Sequence, residues 1–461
     1  MKKIAIIGGG ITGLSAGWEL KKKQIPFKIF EASDSCGGAI KTLHEENCII
    51  EAGPNSLSSP NTELDRLINE LDLKDEICFA NEQASNRFIV KNGIPLAIPR
   101  SLVEFIKTPL FTNIGKWRLL KEPFIYSKSF KDESLAEFVE RRLGLDFLNY
   151  AVDPFVRGIY AGDPKKLIVS AAFPSLVKME KNNNSLFNAI IKKKIRNLKT
   201  KQQKKQTIYT FISGMDTLPN RLVNRIGSDS IITNHKVTNI NVNSSSEWII
   251  DGEFFSDVII TIPSHKQLEI ATPFDLNFLE NIHYPAVSSL SLLFERDQFS
   301  HPLDGFGMLI PSCENYFILG ALFPSAIFPN RAPTNKSLLT IFIGGENNPE
   351  RALLPIEEIL PHVKKDLEKL LGLKGDPIHT SLNIWTHAIP QYDSKITQTH
   401  QSISNLESTQ PGLYFAGNYR DGISITNSIK SGRTVIERII ENQTTRKESD
   451  VNPTLDQENR L

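Results

Sequence analysis

Cysteine is scarce in this chain: Cys36, Cys48, Cys78 and Cys313 are the only four in 461 residues, and no two stand in a CxxC pair. That spacing offers no thiolate metal site. With no secretory signal before the first apolar stretch, it fits a reducing, cytoplasmic-side environment. No uninterrupted apolar run approaches the roughly 18 to 20 residues a spanning helix needs, so a membrane, if met, is met from its surface. Charge excess is missing too. A net charge of +1 and a pI near 7.7 argue against a dedicated nucleic-acid binder, and no nucleic acid is expected as a partner. Wholesale disorder is excluded by 40% hydrophobic against 23% charged residues, and the length suffices for two or three domains.

What is present begins at the first residues. "KKIAIIGGGITGLSAGWELKKKQIPFKIFEAS" reads as a strand at Ile4 to Ile7, a glycine turn, a helix from about Thr12 to Lys22 and a strand from Phe27 to Glu31. Gly8, Gly10 and Gly13, with Gly9 and Thr12 among them, fit GxGxxG between strand and helix. There glycines permit the tight turn and the close approach of a pyrophosphate to a helix N-terminus. Glu31, ending the second strand, can accept hydrogen bonds from a ribose and favours an adenine dinucleotide without a 2′-phosphate. "EASDSCGGAIKT" then places the pair Gly37 and Gly38 shortly after Glu31 and Ala32, and "IIEAGPNSL" supplies a second glycine turn at Gly53, Pro54 and Asn55.

A counterpart lies near the other end, where "GLYFAGNYRDGISITNSIKSGRTVIERII" predicts a strand at Leu413 to Ala416, a glycine turn and a long helix from about Ser424. Between them, "DTLPNRLVNRIG" reads as a helix and Val258 to Ile262 as a strand returning to the same sheet. The expected organisation is a discontinuous chain: 1–85, 206–268 and 391–442 in a nucleotide-binding domain, 86–96 and 269–390 in a substrate-binding domain, 97–200 mostly helical. The polar tail, 443–461, is expected to be disordered.

The two-glycine extension of the fingerprint and the C-terminal "YFAGN" resemble the flavin amine oxidase superfamily. The family pattern usually carries an arginine where this chain has Ser35. Within the superfamily, "FVRGIYAGDPKKLIVSAAFPSL", "EAGPNSL", "SNRFIV", "GFGMLIPS", "LGALFPSAIFPNRAP" and "TIFIGG" look like the oxygen-dependent protoporphyrinogen oxidases, in family order and over nearly the whole chain. The resemblance implies an α/β fold: an FAD-binding Rossmann-like domain, an α+β substrate-binding domain and a mostly helical membrane-associating domain. It implies a six-electron oxidation of a porphyrinogen to a porphyrin in heme biosynthesis, through three cycles of flavin reduction and reoxidation by dioxygen with hydrogen peroxide released. It places FAD against the glycines above and against Val237, Trp385, Gly417, Asn418, Ile423, Ser424 and Ile425. No cysteine stands in that C-terminal segment for a flavin link, so FAD is expected to be noncovalent.

By the same resemblance, Leu309 and Leu322 sandwich the macrocycle, Phe342 stacks nearby, the backbone of Gly158 approaches it, and Arg87 at the pocket mouth grips a propionate. Without the resemblance, Arg87 reads as a solvated rim charge or half of an ion pair. No side chain is assigned as general acid or base. Two alternatives stay open: a coproporphyrinogen oxidase of the same fold, and a noncatalytic escort with it. A homodimer and a hand-over of product to a ferrochelatase are further expectations.

"SLVEFIKTPLF" sets Leu102, Val103, Phe105, Ile106 and Leu110 near one helical side, and Trp117, Leu119, Leu120 and Phe124 follow with lysines between. Such an element can lie in a bilayer interface. The basic run "KKKIRNLKTKQQKKQ", 192–206, reads as a solvated loop able to attract anionic headgroups. Together with the resemblance, this predicts a peripheral protein on the cytoplasmic face of a membrane.

Overall fold

The computed structural model describes residues 3–126, 128–200, 207–245 and 247–451. Three distant segments of the chain build one parallel sheet in the order Ile231–Ile232, Phe27–Phe30, Ile4–Ile7, Asp257–Ile260, Leu413–Phe415. Its central strand is Ile-Ala-Ile-Ile without alternation because both faces are buried. The helix Ile11–Lys22 packs against Thr217–Ile226 and against the long C-terminal helix Ile425–Val451. The latter pair cross closely: a Cβ at Gly432 would fall 2.3 Å from the Thr12 carbonyl oxygen.

A mixed seven-stranded sheet runs His379–Trp385, Val287–Glu295, Lys336–Gly344, Ile318–Leu322, Gly305–Leu309, Asn86–Lys91, Ile94–Ala97. Period-two alternation divides its faces. Leu290, Leu292, Leu339, Ile341 and Met308 are buried with Val363 and Leu367 of the helix Ile356–Leu371. On the opposite face Leu293 and Leu338 pack with Cys48 and Ile50 of the strand Cys48–Glu51, and this face is the wall of the site described below.

Residues 102–200 are mainly short helices held by buried charge. Arg142, 1% exposed, pairs with Glu122 and donates to the Ile125 carbonyl, while Arg141 bonds Glu133 and Glu180. Each of these carboxylates is nearly inaccessible, so removing one partner would strand a buried charge at about 3 to 5 kcal/mol.

The apolar stripe expected over 102–124 is divided. Pro109 separates Leu102–Lys107 from Asn113–Leu120, so no single helix carries the stripe. Leu110 and Leu119 turn inward and are buried, and Phe105 packs on Phe111 with rings 5.6 Å apart. Leu102, Val103, Ile106, Ile114, Trp117, Leu120 and Phe124 face outward, Trp117 at 67% exposure. The basic run is not a loop at its start: Leu186–Thr200 is helical, and 201–206 lie outside the described residues. The expected disordered tail is also shortened, since the helix begun at Ile425 continues to Val451 from its packed first half; 452–461 lie outside the described residues.

Candidate active site

The glycine turn has the geometry of a phosphate cradle. Gly8 takes φ +108°, and a Cβ at Gly13 would fall 1.9 Å from the Gly8 carbonyl oxygen, so helix and strand approach as only glycine allows. Above Gly10 the space is open: a Cβ there would meet nothing within 4 Å, and the helix Ile11–Lys22 carries no side-chain cap. A diphosphate fits that opening and would meet the free amides of the first turn. Glu31 already accepts from the Gly9 amide (2.7 Å) and the Ser33 amide (2.8 Å), which shapes the turn. The Gly37 amide donates to the Gly9 carbonyl at 2.9 Å, bringing the two-glycine segment beside it, and Gly38 lies over Gly10. Ser35 is exposed and bonds Asp34, so it offers no cation where the family has one. Ala32 lies at the same end, and Val237 is buried in the core with Phe30.

The second segment follows the strand Leu413–Phe415, one strand removed from Ile4–Ile7 in the same sheet. Gly417 (φ +144°) donates its amide to Ser431 Oγ at 2.9 Å and opens the short helix Asn418–Asp421. The next turn places Ile423, Ser424 and Ile425 at the start of the long helix, with Ser424 Oγ accepting from the Asn427 amide. The Gly53 turn, where Asn55 donates to the Gly53 carbonyl, is fixed to the seven-stranded sheet through Ala52. Its carbonyl accepts from Trp385 Nε1 (3.0 Å) and Asn383 Nδ2 (3.3 Å).

From that turn, two registers of side chains run across the open sheet face. One reads Asn383, Ser289, Phe342, Gly320, Leu309, Ile89; the next reads Ser381, Ser291, Thr340, Leu322, Gly307, Arg87. Phe342, Leu309, Leu322 and Arg87 therefore share one face. Gly320 leaves the room over which Leu309 leans. Gly158, on the helix Asp153–Tyr160, is solvent-exposed, and a Cβ added there would fall 2.6 Å from Leu309 Cδ2. Arg87 is exposed, with its guanidinium 5.4 Å from the Phe306 ring centroid. Among the described residues no carboxylate lies within ion-pairing distance of it, so it is not half of an ion pair.

Sequence reasoning missed several groups around this face. Tyr392, buried, donates its hydroxyl proton to the Asn418 carbonyl (2.6 Å) and accepts from the Gly422 amide (2.7 Å), bracing the second segment. Its neighbour Gln391 donates to the Tyr160 carbonyl (2.9 Å), tying in the Gly158 helix. Glu51, two residues before Gly53, is pushed up to about 7 by burial, against the Thr42 hydroxyl (2.7 Å) and nearby Arg331. Arg331 is 1% exposed, and its Nη1 has no partner; both residues line a small cavity with Leu322 and Thr340. His265 and His387 stack at 4.3 Å, and burial with the neighbouring imidazole lowers His265 to about 4, leaving it neutral at pH 7. A charge ending the apolar run "CIIE", and the arginine of "FPNRAP", were the available signals.

Glu31→Ala is expected to weaken FAD retention by about 1.5 to 3 kcal/mol, the worth of hydrogen bonds to a charged acceptor. Equilibrium dialysis of the variant checks this, and unchanged affinity removes Glu31 from the site.

Comparison with known proteins adds the following. The flavin containing amine oxidoreductase family matches residues 11–440. Protoporphyrinogen oxidase 2, chloroplastic/mitochondrial, of Arabidopsis thaliana is 32% identical, with 95% of this chain and 94% of that protein covered. The coproporphyrinogen III oxidase of Bacillus subtilis is 29% identical, with 94% and 97% covered. Among solved structures, an Exiguobacterium sp. 255-15 protein provisionally named a protoporphyrinogen oxidase superposes with a TM-score of 0.80 at 24% identity, over 95% of this chain and 98% of that one. Cyclohexylamine oxidase of Brevibacterium oxydans superposes with a TM-score of 0.70 at 15% identity, over 96% and 99%. These two bear on the fold alone.

Proposed function

The chain belongs to the flavin containing amine oxidoreductase family and uses FAD, and on that premise we propose that it oxidises protoporphyrinogen IX to protoporphyrin IX with dioxygen. The observation that carries this reading is the shared sheet face. Apolar Leu309, Leu322 and Phe342 stand between the Gly53 turn at one end and the unpaired Arg87 at the other. A large apolar macrocycle with carboxylates on one edge suits that wall. FAD, when bound, would supply the hydride-accepting and dioxygen-reducing chemistry, which belongs to the cofactor itself. The protein's part is placement: Leu309 and Phe342 press on the ring, Gly158 leaves it room, and Arg87 selects which edge faces outward. Relatives named for coproporphyrinogen III favour a second reading, in which the substrate carries four propionates. Turnover of the two porphyrinogens side by side decides between them; a higher kcat/KM for coproporphyrinogen III would move the assignment.

The cofactor is held noncovalently in this reading, since no cysteine stands in the 413–430 segment. Acid precipitation is expected to release yellow flavin into the supernatant, and colour retained in a fully denatured pellet sinks the claim. The reading keeps 1–85, 206–268 and 391–442 as the FAD-binding part, 86–96 and 269–390 as the substrate-binding part, and 97–200 as the part that meets a membrane.

In this reading the chain attaches peripherally at the cytoplasmic face of a membrane, and the outward apolar belt supports the attachment itself. Ile190, Ile191 and Ile195, interleaved with exposed Lys192, Lys193, Lys194 and Arg196, add to it. Basic side chains there are worth about 1 kcal/mol each near an anionic surface. No helix among the described residues is long and apolar enough to cross a membrane. Replacing Val103, Ile106 and Trp117 by serine should move the protein from the liposome pellet to the supernatant with FAD still bound. Phe105 is left in place because it packs inward. A wild type that never cosediments with anionic liposomes ends the membrane claim.

A further inference from the structure

Beside the mouth marked by Arg87 lies a separate surface groove of about 520 Å³, within the range of small-molecule sites. Its floor is apolar, formed by Ala97, Ile98 and Pro99, and its wall includes Val103 from the outward-facing helix. The Ile98 amide donates to the Arg87 carbonyl at 2.8 Å, so the floor is bonded directly to the strand that carries the mouth arginine. The same helix turns Ile106 outward into the apolar belt. The groove thus lies between that belt and Arg87.

Two cations line it, Arg100 and Lys107. Arg100 is held in place by two neutral acceptors, Ser85 Oγ and Asn86 Oδ1, each at 2.8 Å. Among the described residues no carboxylate lies within ion-pairing distance of either cation. Glu104 is the acidic group on the lining, and it accepts from the Arg100 amide at 2.7 Å, with its carboxyl lowered chiefly by that bond. Neighbouring Lys116 is otherwise engaged, donating to the Ile106 and Thr108 carbonyls. An oriented guanidinium and a free ammonium over an apolar floor form a carboxylate grip for a ligand whose body is apolar.

We propose that this groove is a second binding site for the same chemical class the inner face takes, a large apolar macrocycle bearing carboxylates on one edge. Arg100 and Lys107 hold the carboxylates while the body rests on Ala97 to Pro99. The inference rests on the porphyrinogen reading. It adds a waiting position between the apolar belt and the mouth, from which a poorly soluble substrate or product moves by a short step without crossing open water.

The test titrates protoporphyrin IX into the FAD-loaded protein in detergent and follows fluorescence to obtain stoichiometry and affinities. Wild type should bind in two phases. The double variant Arg100→Gln with Lys107→Gln should weaken one phase at least about tenfold and leave the other, as expected for lost charge-assisted bonds. Arg87→Ala should weaken the other phase alone. Lys107→Glu, a single reversal on an exposed side chain, should reproduce the first effect and guards against misfolding of the double variant. Protoporphyrin dimethyl ester should lack the Arg100-dependent phase in wild type. A single phase in wild type, or two phases untouched by the double variant, overturns the groove site while leaving the inner site standing. If the double variant instead lowers only cosedimentation with anionic vesicles, the groove takes a lipid headgroup and the proposal fails. Binding in neither phase overturns both this proposal and the reading on which it rests.

Discussion

Arg87→Ala is expected to lower kcat/KM for protoporphyrinogen about ten- to a hundredfold while melting temperature and flavin content hardly change. The expectation follows from where the side chain stands. Arg87 pairs in register with Gly307, adjacent to Leu322, and is exposed with its guanidinium over Phe306. No internal carboxylate is stranded by its loss, so stability should not register the change. A substrate carboxylate entering beside an apolar wall needs a cationic partner, and the planar fork can take it bidentately. Arg87→Lys should recover part of the loss, because a point charge lacks the fork. The dimethyl ester of the substrate supplies the internal control. Equal losses on acid and ester would return Arg87 to a solvated rim charge.

Gly158→Val should damage turnover far more than folding, with a loss in kcat/KM again of about ten- to a hundredfold. Gly158 is exposed on the helix Asp153–Tyr160, so its substitution buries nothing and opens no cavity. The first side-chain atom would fall 2.6 Å from Leu309 Cδ2 and drive that side chain across Gly320 toward Phe342. On an exposed helix face this clash is relieved by moving Leu309 rather than by unfolding, and Leu309 is the residue proposed to press on the macrocycle. Thermal melting and steady-state kinetics must be taken on the same preparation. Equal losses in both would make Gly158 a folding residue.

The parts of this site legible in the sequence are those whose partners are close along the chain. The glycine turn at Gly8 to Gly13 and Glu31 declare themselves because strand, turn and helix are consecutive, and the structure closes them with the Gly9 to Glu31 bond. The outward and inward halves of 102–124 were not legible, because Pro109 resets the helical phase and a stripe drawn through it mixes buried Leu110 with exposed Ile106. The faces of "GFGML" were not legible from alternation either, because a register shift between Gly305 and Gly307 interrupts it; the resemblance alone singled out Leu309. Glu51, Arg331, Gln391 and Tyr392 escaped for another reason. Their partners lie far away in sequence, Gln391 on Tyr160 and Arg331 on Thr210, so the local signals at Glu51 and Arg331 say a charge is buried but not against what. The resemblance placed Leu309, Leu322, Phe342 and Arg87 near one another; only strand register puts them on one face.

The central claim is that this flavoprotein takes its electrons from protoporphyrinogen, and anaerobic mixing tests it most directly. Oxidised, FAD-loaded protein mixed with protoporphyrinogen IX in the absence of oxygen should lose its flavin absorbance in a single turnover, and admitting air should restore it while porphyrin fluorescence accumulates. A flavin that stays oxidised in the presence of saturating protoporphyrinogen, in protein that is folded and carries its full FAD, would contradict the account.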